Sequence, residues 1–190
     1  MEMRPLLDWR YIIASIPRLI PPFFQVTLTC VVITLMVGTV FGFLLAACKI
    51  GKNKVLRHVA YAVTDVIRSM PFLVMLFLLY YGLPKFFPAL NALNKMFFLT
   101  LGLIIFASCR LSVGLLLCLV HALASLCVGL SVPQAMWHVI VPQAFHIALP
   151  NMGNLLVGMV LETALGFTIG VYDIMGTAKL INSGEYGAHN

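Results

Sequence analysis

The sequence predicts an all-α membrane protein with about four transmembrane helices. Of its 190 residues, 62% are hydrophobic and only 9% are charged, against about 25% charged in an ordinary soluble domain. A soluble domain of this size leaves too much surface in water to hide so much apolar side chain. The apolar residues also fall in runs near the roughly 20 residues that a bilayer-crossing helix needs. Basic residues gather at the ends of those runs, so the net charge of +6 reads as positive-inside placement and contact with lipid headgroups, not as a nucleic-acid surface.

The first span is expected from about Phe24 to Cys48, a stretch without charge and long enough to cross. Pro21 and Pro22 mark its start. Inside it, Gly38 and Gly42 have the GxxxG spacing that lets two helix backbones approach closely. The preceding segment, MEMRPLLDWRYIIASIPRLI, is interrupted by Arg18 and lacks the apolar centre of a signal peptide. KIGKNKVLRH follows the span, with Lys49, Lys52, Lys54 and Arg57, and reads as a cytoplasmic loop.

The second span is expected from about Leu56 to Leu83, a length that suffices to cross. Asp65 and Arg68 stand one helical turn apart and can pair. They form either a solvated pair at the membrane mouth or part of a polar path through it. Pro71 removes a backbone donor and predicts a kink. LPKFFPALNALNK is an outer loop. The third span is expected over about 97–120 with Arg110 inside it, and its apolar character runs on toward Leu126, beyond what one crossing needs. The fourth is expected over about 149–166 and contains Glu162, again near one span in length. The tail is half polar and Gly-punctuated, and does not read as another span. The whole chain, 1–190, reads as one transmembrane domain.

The passage between the third and fourth spans carries the most local information. Gly129 suits a helix C-terminal cap. Ser131 followed by Gln134 makes a capping box, with Pro133 early in the next helix where its missing donor does no harm. Val132, Met136, Val139 and Ile140 fall on one face, and Pro142 stops the helix at Val141. A short amphipathic helix is therefore expected within a loop of about 128–142, of the kind that rests on a membrane or docks in a partner's groove.

Cys30, Cys48, Cys109, Cys118 and Cys127 lie in or beside apolar stretches without CxxC spacing and read as small hydrophobes, not as a disulfide frame or metal site. His58, His121, His138 and His146 leave a haem- or quinone-binding membrane anchor as an alternative, since axial ligation needs histidines at one depth on facing helices. Nothing in the chain marks a catalytic centre, and no GxxxxGK[ST] phosphate loop is present.

Three passages resemble the permease subunits of polar amino-acid ABC importers, the cystine-type members above all. RSMPFLVMLFLLYYGLP is similar to the family's Arg-Gly-Thr-Pro segment, its apolar run and its Tyr/Phe-Gly-Leu-Pro. GLSVPQAMWHVIVPQAFHIALPN resembles the second half of the cytoplasmic EAA loop, with Gly129 and Pro142 holding the family's gap. ETALGFTIGVYDIMGTAKLI resembles the segment after the penultimate span.

The resemblance implies a type I importer permease fold, multi-pass in the inner or plasma membrane. It implies that Gly129, Ser131, Gln134, Met136 and Pro142 couple the permease to a cytoplasmic ATP-binding subunit. ATP would be held by that partner, and this chain would carry no cofactor. The implied partners are a second permease subunit, an extracytoplasmic substrate-binding protein and membrane lipid. Asp65, Arg68 and Glu162 are the candidate residues of the substrate path.

The departures are local. The stretch before Gly129 lacks the family's charges, with Leu123, Ala124 and Ser125 standing where Glu-Ala-Ala is expected. Leu161 replaces a common lysine, and the chain stops at Asn190, short of a fifth span. A truncated, non-functional remnant is accordingly a second alternative.

Overall fold

The computed structural model describes residues 9–135, 137–138 and 141–187. Helix α1, Trp9–Pro22, runs through a π turn at Phe23–Leu28 into α2, Thr29–Ile50. Next come α3, Lys54–Ser69, then α4, Phe72–Phe77, which passes through a second π turn at Leu78–Gly82 into α5, Leu83–Phe86. A 3-10 turn, Pro88–Ala92, leads to α6, Lys95–Cys127. Helices α7, Val132–Ala135, and α8, Val141–Thr163, follow. A 3-10 segment, Ala164–Ile169, then joins α8 to α9, Ile174–Gly187. Among the described residues, three stretches are long and apolar enough to cross a membrane: Ile13–Ile50, Lys95–Leu117 and Met152–Ile169. The pair Lys54–Ser69 and Phe72–Phe86 makes a fourth if it is counted as one broken span.

Two expectations about helix boundaries need correction. Pro21 and Pro22 do not start the first span. The helix continues through Pro17, Pro21 and Pro22, and the π turn immediately after them is the kind of local adjustment that re-satisfies backbone groups freed by proline in a membrane helix. The second span is broken rather than kinked: its two helices meet at 107°. Met70, forced out of the helical region by the proline that follows it, is extended at φ −89°, ψ 135°. Pro71 is extended too, with ψ 136°. Two successive extended residues reorient the chain where a single proline in a continuous helix would only bend it.

Helices α2 and α6 form the spine of the bundle, with more contact than any other pair. They run parallel. Cys30 Sγ meets Thr100 Oγ1 at 3.4 Å near one end, Gly38 faces Ala107 and Gly42 faces Leu111 in the middle, and Lys49 reaches Ser112 at the other end. The connection from 54 to 86 therefore returns the chain across the bundle once. Helix α8 runs back antiparallel to α6, with Gly158 beside Arg110 and Gly166 beside Leu99. It follows that the 49–57 and 128–142 segments lie at one end of the bundle, while the 84–95 segment and Gly170 lie at the other.

The GxxxG expectation holds in detail. A Cβ on Gly42 would stand 3.0 Å from Leu111 Cβ and 3.1 Å from the Ser108 carbonyl oxygen, so the two backbones approach as closely as glycine allows. Gly42→Leu is expected to force the pair apart, with an overpacking penalty of about 1–3 kcal/mol. The effect should appear as a lower melting temperature of the detergent-extracted chain, while Val40→Leu, on an exposed position, should leave it unchanged.

The apolar core has two parts. Cys30, Phe72, Met75, Leu76, Leu99, Leu103, Phe106, Ile169 and Val171 pack at the α4 end, and Val31, Ala107, Leu155 and Met159 join α2, α6 and α8. Outside them, Met36, Val40, Phe41, Phe43 and Leu44 are all exposed, as suits a helix whose solvent is lipid. The tail forms a capped helix and not a span. Asp173, buried at the start of α9, accepts a hydrogen bond from the Gly176 amide at 2.9 Å, and α9 packs against α1.

Candidate functional site

Two features stand out, one inside the bundle and one at its end. The first is a belt of charge at a single level of α6. Arg110 Nη1 lies 3.3 Å from Glu162 Oε1, joining α6 to α8, and its guanidinium carbon sits 4.3 Å from the centre of the Phe106 ring. Gly158 makes room for the guanidinium, since a Cβ there would meet Nη1 at 3.3 Å. Nearby on α6, Ser112 Oγ accepts a hydrogen bond from Lys49 Nζ at 2.8 Å. Lys49 is buried, its amine 5.5 Å from the centre of the Tyr61 ring and within the electrostatic reach of Asp65 and Arg68. Arg110 is fifteen residues into α6, or roughly 22 Å along its axis at 1.5 Å per residue. In a hydrocarbon layer of about 30 Å the belt thus lies in the half nearer the 128–142 segment.

The belt rearranges the expected residues. Asp65 and Arg68 are exposed on α3, and among the described residues no ion pair joins them. Glu162 is the carboxylate that gains a partner, and that partner is Arg110. The pairing could have been read from sequence: Arg110 is the ionisable residue inside the third span and Glu162 the one inside the fourth, and lone charges in hydrocarbon are strongly unfavourable. Lys49 belongs to the helix and not to the loop assigned to it. Its signal was the buried face Gly38, Gly42, Ala46 and Lys49, one residue per helical turn.

The second feature is the turn at the end of α6. Gly129 has φ +93°, a left-handed conformation that glycine adopts at little cost. Its N–H bonds the Leu126 carbonyl at 3.0 Å, while the Leu130 N–H bonds the Ser125 carbonyl at 3.3 Å; together these form a Schellman cap. Among the described residues nothing crowds a Cβ at this position, so it is the backbone angle that selects the glycine. The capping box is present in one direction: Gln134 Oε1 accepts from both the Ser131 N–H and the Ser131 hydroxyl, each at 2.9 Å. Helix α7 opens there, and α8 begins at Val141 with Pro142 in its first turn. Met136, Val139 and Ile140, most of the expected docking face, lie outside the described residues.

Residues 38–186 match the family of the binding-protein-dependent transport system inner membrane component. The chain belongs to this family. Among its relatives, a probable amino-acid permease protein, YxeN, of Bacillus subtilis (strain 168) is 30% identical over 185 residues, covering 94% of this chain and 82% of that one. The L-cystine transport system permease protein TcyL of the same organism is 29% identical over 198 residues, covering 97% of this chain and 81% of that one. A crystal structure of an amino acid ABC transporter with histidines superposes with a TM-score of 0.78 at 27% identity, covering 96% of this chain and 86% of that one.

The chain thus falls in the family of amino-acid ABC transporter permeases, which are inner-membrane transport components and not themselves enzymes. Permeases of this family work with an ATPase and a substrate-binding protein. Two of the histidines make local hydrogen bonds, whereas His121 Nδ1 is buried with no hydrogen-bond partner among the described residues. His58 Nδ1 bonds the Lys54 carbonyl at 2.6 Å and His138 Nδ1 bonds the Gln134 carbonyl at 3.1 Å, each one helical turn back on its own segment. His146 has no described side chain.

Proposed function

We propose that this permease carries an amino acid across the membrane between itself and a second permease subunit, with cystine as the first substrate to test. ATP is bound and hydrolysed by a separate cytoplasmic subunit, and the 128–142 segment docks on that subunit. Gly129 fixes the turn out of α6, Ser131 and Gln134 start the docking helix, Met136 is assigned to its apolar face by sequence spacing, and Pro142 starts the return into α8. Glu162, held by Arg110, lines the path, with Asp65 and Arg68 at its mouth.

The observation that carries this reading is the Schellman turn at Gly129 leading directly into the Ser131–Gln134 cap. It sets the direction in which α7 leaves α6, at the same end of the bundle as the lysine-rich 49–57 segment, which the positive-inside rule assigns to the cytoplasm.

Docking to an ATPase requires that end to face the cytoplasm. In a cysteine-free background, Phe87→Cys is expected to react with a membrane-impermeant maleimide added to intact cells, and Asn53→Cys to react only after permeabilisation. The reverse pattern removes the 128–142 segment from any cytoplasmic partner and sinks the proposal.

A further inference from the structure

The end of the bundle opposite the coupling segment holds a cavity of about 520 Å³, lined in part by Tyr80, Tyr81, Lys85, Asn91, Lys95 and Phe98. Among the described residues, two lysines line it and no acidic residue does. Positive-inside placement disfavours basic residues at this end, so Lys85 and Lys95 call for a specific explanation.

Several features build the cavity. Tyr80 packs edge-on against Phe98 at 5.5 Å and against Tyr81 at 4.8 Å, which stiffens the aromatic wall. Lys95 passes over Gly170, where a Cβ would lie 2.8 Å from its Nζ, so the glycine provides the space the lysine occupies. The first turn of α6 begins here. Asn94 accepts from the Met96 N–H at 3.2 Å, and the positive end of the helix dipole adds to the two ammonium groups.

Depth identifies the ligand. Lys95 is the first residue of the candidate span Lys95–Leu117, and Phe86 is the last of the bent pair. The cavity therefore sits where hydrocarbon gives way to headgroups, the level at which tyrosines concentrate in membrane proteins. The elements that frame it carry strongly exposed rings: Phe86 is 80% exposed and Phe87 60%. A cavity whose described lining carries two lysines and no acid, at headgroup level and close in sequence to exposed phenylalanines, matches the anionic headgroup of a phospholipid, with apolar side chains at hand for its acyl chains.

We propose that this cavity binds the phosphate of an anionic phospholipid in the leaflet at this end of the permease. A free amino acid offers a similar anion, its carboxylate, and the test separates the two. The full-length chain is reconstituted in vesicles of phosphatidylethanolamine with phosphatidylglycerol, extracted in mild detergent, and analysed for retained lipid by native mass spectrometry.

Wild type is expected to retain phosphatidylglycerol. Lys85→Gln/Lys95→Gln is expected to lose about tenfold or more of it, from the attraction of two surface lysines. Lys52→Gln/Lys54→Gln, at the other end, should lose clearly less of it than the Lys85→Gln/Lys95→Gln pair. Lys85 is exposed, so Lys85→Gln alone keeps the fold safe and should show about a fivefold loss, while Lys85→Arg should retain the lipid as wild type does. Equal retention by wild type and the lysine variants overturns the proposal. So does displacement of the lipid from wild type by millimolar amino acid, which would make the cavity a substrate site. The outcome does not depend on whether the chain transports.

Discussion

Arg110→Leu is expected to be the most damaging single substitution in the spans. It leaves Glu162, whose side chain is 14% exposed, without its guanidinium partner among apolar neighbours. A lone charge in hydrocarbon costs at least ~2.5–3.5 kcal/mol on insertion scales. Glu162→Leu should cost less, because the Arg110 side chain it orphans is 42% exposed and also rests on the Phe106 ring. The double variant Arg110→Leu/Glu162→Leu should recover much of the loss, since replacing both members of an ion pair with apolar groups is often near neutral. Melting of the detergent-extracted chain, followed by fluorescence-detected gel filtration, reads all three. Equal destabilisation by the single and double variants would mean that the two side chains do not act as a pair. Stability and transport should separate here: the double variant folds but is expected to lose uptake if the belt lines the path.

Gly129→Pro is expected to abolish recovery of the ATPase subunit while leaving membrane insertion intact. Proline fixes φ near −65° and removes the N–H, whereas Gly129 needs φ +93° and donates to the Leu126 carbonyl. The Schellman turn is lost and the docking helix leaves α6 in another direction. Gly129→Ala keeps the donor and faces only the left-handed backbone penalty, about 1–2 kcal/mol, so an intermediate recovery is expected. Pull-down of tagged permease from co-expressing membranes measures both variants. Undiminished ATPase recovery with Gly129→Pro would show that the turn plays no part in docking.

How much of this was readable in sequence follows from the range of each interaction. Gly129, Ser131 and Gln134 were legible because caps depend on residues a few positions apart, and the GxxxG pair was legible because its spacing alone marks a contact face. The break at Pro71 was half legible. The proline was evident, but its effect on the direction of the chain depended on Met70 and Pro71 both becoming extended. The long third helix was legible as an excess of apolar residues, and the structure carries it unbroken to Cys127 through the stretch that departs from the family pattern.

The charge belt was the least legible part, because it joins residues distant in sequence through the parallel register of α2 on α6 and the antiparallel return of α8. Lys49 was misassigned for a related reason. Composition grouped it with Lys52 and Lys54, while helical phase places it on the buried face with Gly38 and Gly42.

The central claim is that this permease moves an amino acid at the expense of ATP hydrolysed by a partner. It is tested most directly by co-reconstituting the permease, its co-purifying ATPase and the substrate-binding protein in vesicles and following labelled cystine, with other labelled amino acids in parallel. The account predicts accumulation that requires ATP and disappears with Gly129→Pro. Vesicles in which the ATPase is bound and hydrolysing, yet no amino acid accumulates above the ATP-free level, would contradict it.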